Sequence, residues 1–337
     1  MRATIRSVAK LAGVAPSTVS HYLNQTAQIS PNTAQSVERA IAALKYQVHL
    51  GARSLRSRKT HSVGLVIPNI TTPFFGELAA IIENMLWDRG YQMLLCISER
   101  DIEREVVQVA TLTSRQVDGI LMIYNNEASQ VLQTVDELPV PMVFVDRPVP
   151  GRNSVATDNF FGGRLAARHL LSLSHRCFAF LCGEAEIRNA ADRIEGFRYE
   201  LRLSGLDVSA DYFVHGRQEL QLGAKISELL KLHPCPTAVF ATNDIVAIGA
   251  WPTLAERGYR VPQDISIVGF DDIEVSRYLV PSLTTVAQPT REIGIRAVDM
   301  LLKTITQSGQ QRAAPSGIFV SPTLKIRGST ARPPERR

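Results

Sequence analysis

The 337-residue sequence predicts a small all-α domain at the N-terminus, followed by an α/β body of two lobes, each a parallel sheet covered by helices. Three observations predict it. Apolar residues in the first ~48 positions recur at helical spacing. From His61 onward, apolar strands alternate with amphipathic helices, and the pattern restarts after Asp158. The net charge of +5 divides to match: residues 1–60 hold nine Lys and Arg against Glu38, which is +8. The remainder holds 28 basic against 31 acidic residues, which is −3. A basic module on a mildly acidic body points to a polyanion partner for the basic end.

Composition narrows the class. With 45% hydrophobic and 20% charged residues, disordered, collagenous and disulfide-scaffold chains are excluded. No stretch approaches the ~18 apolar residues of a membrane span. Met1 to Ser7 lacks the apolar run of a secretory signal, so a cytoplasmic location is expected. Cys96, Cys177, Cys182 and Cys235 form no CxxC pair, so reduced thiols are expected, with no metal site and no cofactor.

The head reads as three short helices. Thr4 caps the first, Ile5, Val8, Ala9, Leu11 and Ala12 repeat along it, and Gly13 ends it. Pro16 opens the second, 16–23, with Val19, Tyr22 and Leu23 apolar. Ser30-Pro31 opens the third, where Ala34, Val37, Ile41 and Leu44 make one stripe. Two short helices joined at Gly13-Val14-Ala15 in a basic segment describe a helix-turn-helix.

In the body, strands are expected at Val63–Ile67, Tyr91–Ile97, Gly119–Ile123 and Met142–Val145, with helices at Phe74–Arg89, 102–115 and Ala128–Glu137. After Asp158 the strands are Cys177–Cys182, Tyr212–His215, Ala238–Ala241 and Ile265–Gly269, with helices at 160–173, 189–204, 219–232 and 244–257. Ligands of open parallel sheets sit beyond the C-terminal strand ends.

"TIRSVAKLAGVAPSTVSHYLN" (Thr4–Asn24) resembles the DNA-binding head of the LacI/GalR family of bacterial transcription regulators. "GARSLRSRKTHSVGLVIPNITTPFF" (Gly51–Phe75) resembles the family's hinge and first effector-domain strand. "FATNDIVAIGA" (Phe240–Ala250) and "VPQDISIVGFDDIEVSRYLVPSLTTVAQP" (Val261–Pro289) continue the match in order and spacing. The resemblance covers about residues 3–328. It implies a two-lobed, periplasmic-binding-protein-like effector domain, in which residues ~290–318 return to the first lobe. The expected domains are 1–48 (DNA binding), 49–60 (hinge helix) and 61–330, with a basic tail at 331–337. Lobe 1 would take about 61–158 and 290–318, and lobe 2 about 159–289 and 319–330.

The resemblance also implies roles. Pro16, Ser17 and His21 would face bases in the major groove, while Thr4, Thr18, Ser20 and Asn24 would contact phosphate or cap helices. Many relatives carry Arg where His21 stands and Ser where Ala15 stands; His lacks the bidentate fork that Arg offers guanine. Ala52, Leu55 and Arg56 resemble the hinge helix, with Leu55 wedging into the minor groove and Arg56 neutralising phosphate. Val48-His49 replaces the usual Pro-Asn before it, and His49 is the poorer cap.

For the effector, the resemblance marks Phe74, Asp146, Arg193, Asn243, Asp271 and Gln288. Carboxylates, amides and Arg suit the hydroxyls of a sugar, sugar acid or sugar phosphate, and Phe74 would stack on an apolar ring face. Asn243 is equally a helix cap, Asp244 reads as a capping or structural residue, and Asp158 stands near the lobe crossover. Arg217-Gln218 replaces a common Asp-Phe pair, which favours an acidic effector. The expected function is that of a homodimeric, sequence-specific transcription regulator. It would be a repressor of carbohydrate uptake or catabolism genes on a pseudo-palindromic operator, controlled by a small effector between its lobes. The tail after Ser329 has two prolines and no heptads, so a tetramer is not expected. A nucleophile elbow, a Walker A loop and G-x-G-x-x-G are all missing, so the chain does not read as an enzyme. A transport-type sugar binder would lack the helix-turn-helix.

Overall fold

A computed structural model describes residues 3–24, 27–46, 59–125, 127–134, 137–182, 188–216, 219–307 and 314–335. The chain divides into two compact units, Met1–Thr60 and His61–Arg337.

The first unit holds α1 (Ile5–Ala12), α2 (Pro16–Asn24) and α3 (Pro31–Ala43). The Thr4 hydroxyl accepts from the Ser7 N–H and the Ser7 hydroxyl answers the Thr4 backbone, a reciprocal cap. Gly13 closes α1 at φ 67°, a conformation glycine adopts without a Cβ penalty. Ser30 caps α3 by accepting from the Thr33 N–H. Val8, Ala9, Val19, Val37 and Ala40 form the buried centre, and Ile5, Tyr22, Leu23, Ile41 and Leu44 pack around it. Leu11 is not part of that stripe: it is 56% exposed, because the buried arc of α1 runs through positions 5, 8, 9 and 12.

The second unit holds two six-stranded sheets. Sheet one is ordered β11-β5-β4-β3-β1-β2, sheet two β12-β10-β9-β8-β6-β7. In sheet one, β1 (Ser62–Ile67), β2 (Gln92–Ile97), β3 (Gly119–Met122), β4 (Met142–Val145), β5 (Ser154–Thr157) and β11 (Gly317–Val320) are all parallel. In sheet two, β6 (Phe178–Cys182), β7 (Phe213–His215), β8 (Ala238–Ala241), β9 (Ser266–Asp271) and β10 (Thr284–Ala287) are parallel. The edge strand β12 (Thr323–Lys325) runs antiparallel to β10. Central strands such as Val63–Ile67 are buried along their whole length, as two-sided cover by helices requires.

The helices of this unit are α4 (Pro73–Trp87), α5 (Ile102–Ser114), α6 (Val131–Thr134), α7 (Asn159–Ser172), α8 (Arg188–Leu203), α9 (Glu219–Ala224), α10 (Ile226–Leu229), α11 (Asp244–Glu256) and α12 (Thr290–Thr306). α12 belongs to the first sheet's layer: its Ile293, Ala297 and Leu301 pack with Leu78, Ile82 and Leu86 of α4. After α12 the chain adds β11 beside β5, with Val320 opposite Thr157. Expected helices at 128–137 and 219–232 differ. The first is the single turn Val131–Thr134 among the described residues, and the second divides at Lys225 into α9 and α10.

One close approach positions the site. α7 and α8 touch backbone to backbone: a Cβ on Gly163 would run into the carbonyl of Arg193, and a Cβ on Gly196 into that of Phe160. Glycine at both positions lets α8 lie against α7, and α8 carries Arg193 and Asn189.

Candidate functional site

In the first unit, α2 presents an outward face. Val19 is buried, with Tyr22 and Leu23 packed on the core, so Pro16, Ser17 and His21 are left exposed. Ser17 and His21 are four residues apart and share one side of the helix. Thr18 and Ser20 are half-buried beside them, and Asn24 is the last residue of α2. The exposed Thr4 lies at the start of α1, its hydroxyl oxygen already serving as the cap. Leu55, Arg56, Ala52 and the Val48-His49 pair lie outside the described residues, as does Arg217.

In the second unit, the C-terminal ends of β4, β8, β9 and β10 bring together two polar clusters. The first centres on Arg193 of α8. Its Nε donates to Asn159 Oδ1 at 2.7 Å and its Nη1 to the Thr242 carbonyl at 2.6 Å and Asp271 Oδ1 at 3.3 Å. The guanidinium lies 3.7 Å from the centre of the Phe270 ring, a cation–π contact. Asp271 Oδ1 also accepts from Gln288 Nε2 at 2.8 Å, and Gln288 Oε1 accepts from the Thr157 hydroxyl at 2.6 Å. This last bond ties sheet one to the residue after β10.

The second cluster centres on Asp146, just after β4. Asn189 Nδ2, one turn before Arg193 on α8, donates to Asp146 Oδ2 at 2.9 Å and to the Asp146 carbonyl at 3.2 Å. Arg147 donates through Nη1 to the Tyr124 and Asn125 carbonyls, and its Nε stands 4.0 Å from Asp146 Oδ2. Glu105 of α5 accepts from the Asn125 N–H and the Ser129 hydroxyl, fixing that loop from below.

Burial raises the Asp146 carboxyl above the ordinary carboxylate range, against the pull of Arg147, Arg193 and the Asn189 amide. Asp146 and Asp271 both hold positive φ, 67° and 109°. Such conformations cost on the order of 1–3 kcal/mol and collect where side chains must be aimed.

Asp146, Arg193, Asp271 and Gln288 therefore converge, either directly or through Asn189. Two other expected residues do not join them. Asn243 spends its Oδ1 capping α11, accepting from the Val246 N–H at 2.8 Å. Phe74 is 4% exposed in the core of sheet one's layer, its ring 5.5 Å from that of Phe75. Asp158 caps α7 through the Phe161 N–H, and Asp244 is fully buried, accepting from the Ile273 N–H and the Thr285 hydroxyl. Burial, then the nearby Asp271 carboxylate, raises the Asp244 carboxyl well above its usual range. Sequence reasoning missed Asn125, Arg147, Asn159 and Asn189. The available signal was a polar pair standing directly behind a fully apolar strand run, as Asp146-Arg147 stand behind MVFV.

His175, away from the cleft, is buried; its ring bonds the Thr237 hydroxyl and the Ala331 carbonyl, which pins the start of the C-terminal tail. Among the described residues no group of three His, Cys, Asp or Glu is placed to hold a metal, and no helix is long and apolar enough to cross a membrane.

Residues 4–48 match the family described as bacterial regulatory proteins, lacI family, and residues 167–330 match a periplasmic binding protein-like domain. The ribose operon repressor of Escherichia coli (strain K12) is 36% identical over 331 residues, 97% of this chain and 99% of the relative. The HTH-type transcriptional repressor PurR of Haemophilus influenzae (strain PittEE) is 35% identical over 330 residues, 97% and 98% of the two chains. Among solved structures, a lac repressor dimer bound to operator and the anti-inducer ONPF superposes with a TM-score of 0.88. It is 27% identical, and the match covers 98% of this chain and all of that one.

Proposed function

The chain belongs to the lacI family of bacterial regulatory proteins, and from that premise we propose that it is a homodimeric repressor of carbohydrate uptake or catabolism genes. In this reading the outward face of α2 reads the major groove of a pseudo-palindromic operator. Pro16, Ser17 and His21 meet base edges, and Thr4, Thr18, Ser20 and Asn24 meet phosphate or hold the helices. Residues 49–60 form the hinge, in which Leu55 enters the minor groove and Arg56 neutralises phosphate.

A small sugar-like effector binds between the lobes, against Asp146, Arg193, Asp271 and Gln288; Asn243, which caps α11, and Phe74, which fills the core of sheet one's layer, take no part in that contact. It alters operator affinity by the 5–150-fold that a coupling of ~1–3 kcal/mol supplies. The chain acts by binding, not catalysis, needs no cofactor, and works in the cytoplasm.

The observation that carries the reading is the cluster of Arg193, Asp271 and Gln288 at the strand ends of a chain whose head displays a capped helix-turn-helix. The test is fluorescence anisotropy of the purified chain on DNA from upstream of its own gene, with and without added sugars. Binding that is sequence-specific and shifts with one sugar, but not in Arg193→Ala, is the expected result. In the same assay Leu55→Ala weakens operator binding more than non-specific binding; equal loss on both DNAs would remove the hinge from the proposal.

A further inference from the structure

We propose a second small-molecule site on the outer flank of sheet two, which takes a monocarboxylate with a small apolar body, such as an aryl-alkyl or branched-chain acid. It shares no residue with the two clusters of the cleft and stands whatever binds there.

The site exists because α8 passes the edge of the sheet without filling the space over it. β7 is the edge strand, paired with β6 so that His215 lies opposite Cys182. Asn189 and Arg193 of α8 turn to the cleft, whereas Ala190, Ala191, Ile194 and Arg198 line a cavity of about 540 Å³ together with Cys182 and Phe213. The two alanines are too short to close the gap, and Val208 and Ala210, on the segment leading into β7, add further small apolar surface. Well-packed interiors leave few voids larger than a water molecule, and small-ligand sites begin at about 300 Å³. Gln288, in the cleft, follows β10, which three strands separate from β7.

The lining is apolar and firmly held. The Phe213 ring stacks on Phe180, with centroids 4.4 Å and planes 4° apart. Burial pushes the Cys182 thiol up to about 12, so it meets the cavity as a neutral, weakly polar group. These walls suit a hydrocarbon body and offer nothing to a polyol.

Arg198 gives the cavity its charge. Its guanidinium stands 5.5 Å from the centre of the Phe213 ring. Its Nε is buried and has no hydrogen-bond partner among the described residues. Its ion pair, Nη2 to Asp207 Oδ1, is 3.7 Å long, and the Asp207 side chain is 76% exposed, so water screens it and it holds the arginine weakly. Arg193, by contrast, donates to Asn159, Thr242 and Asp271. The Arg198 fork thus keeps donors for a planar acceptor, and the two oxygens of a carboxylate match two neighbouring guanidinium N–H groups. A phosphate dianion would bring a second charge to a cavity lined by one arginine, with Glu195, already bonded to Arg202, on its wall. His215, two residues beyond Phe213 on the same face of β7, adds a ring N–H at the exposed rim.

The experiment is calorimetric titration of the full-length protein with phenylacetate, 3-phenylpropionate and isovalerate, each beside its primary amide, and with phenyl phosphate. At least one acid is expected to bind with a Kd of about 1 mM or tighter, at least tenfold tighter than its amide and tighter than phenyl phosphate. Its affinity should fall at least tenfold in Arg198→Gln and in Ala191→Leu, and stay unchanged in Gln288→Ala. Ala191 is exposed, so its leucine variant occupies the cavity without disturbing the core and carries the test if Arg198→Gln does not fold. An amide or phenyl phosphate that binds as tightly as the acid overturns the ligand class. Acid binding that ignores Ala191→Leu, or that is lost in Gln288→Ala, places the probe elsewhere and overturns the site. Absence of binding by all three acids overturns the proposal outright.

Discussion

The two polar clusters between the lobes have similar ingredients and opposite states. Each holds an arginine, an aspartate at positive φ and carboxamides. Around Arg193 the hydrogen bonds close: guanidinium to Asp271, Asp271 to Gln288, Gln288 to Thr157. Around Asp146, among the described residues, four buried polar atoms (Asn125 Nδ2, Arg147 Nε, Asp146 Oδ1 and Asn189 Oδ1) have no hydrogen-bond partner. A closed buried network fixes geometry and makes each member costly to remove, whereas an open one holds free energy that a ligand can release. Under the proposed function, the Arg193 cluster holds the shape of the cleft, and the Asp146 cluster keeps hydrogen-bonding capacity for an effector.

The largest expected effect breaks the closed cluster. Arg193→Ala strips a buried carboxylate of its cation and removes the bonds to Asn159 and Thr242. Breaking a buried pair in this way costs about 3–5 kcal/mol, which urea unfolding of the variant will measure. A loss under about 1 kcal/mol would mean that the network does not hold the lobe together. Next comes the helix contact that aims the same arginine. Gly196→Ala drives a methyl into the Phe160 carbonyl, an overpacking of backbone that should cost about 1–3 kcal/mol and weaken effector binding with it.

A third test uses the neighbour of the closed cluster. Asp244 sits fully buried, near Asp271, with its carboxyl raised well above the usual range, first by burial. The folded chain therefore holds a proton that the unfolded chain releases at lower pH. This contribution is complete below the unfolded value of about 4 and is lost as pH rises through the folded value. Asp244→Asn keeps an acceptor for the Ile273 N–H and cannot ionise. Its melting temperature relative to wild type should climb as pH rises from 4 to 8. A constant offset across that range would show that Asp244 does not titrate in the fold.

The sequence was most informative where a local rule acts alone. Thr4, Gly13 and Ser30-Pro31 mark helix ends through caps that need only neighbouring backbone, and the structure places α1 and α3 between them. Val63–Ile67 and Ala238–Ala241 read as strands because two-sided burial leaves an apolar run. β5, SVAT, is just as buried but carries Ser and Thr, and escaped notice because its partners are β4 and β11, the latter some 160 residues onward. The same limit applies to the site. Asp146, Arg193, Asp271 and Gln288 could be named from the family resemblance, yet Asn189 acquires meaning only when the packing of α7 on α8 swings it over Asp146. Phe74 shows the converse: an aromatic beside a candidate cleft whose ring is spent in the core.

The smallest expected effect sharpens the comparison most. Asn189→Ala gives up two hydrogen bonds to Asp146, which together are worth roughly 1–3 kcal/mol. It also removes a buried carbonyl oxygen that has no partner, and the desolvation of such an atom costs about as much. The two changes offset in part, and Arg147, 4.0 Å from Asp146 Oδ2, remains to face the freed carboxylate oxygen. Urea unfolding of Asn189→Ala should therefore fall within about 1 kcal/mol of wild type, even though its ligand affinity drops tenfold or more. Arg193→Ala loses both stability and ligand. A stability loss above about 2 kcal/mol in Asn189→Ala would place this asparagine in the scaffold and erase the distinction between the closed and the open cluster.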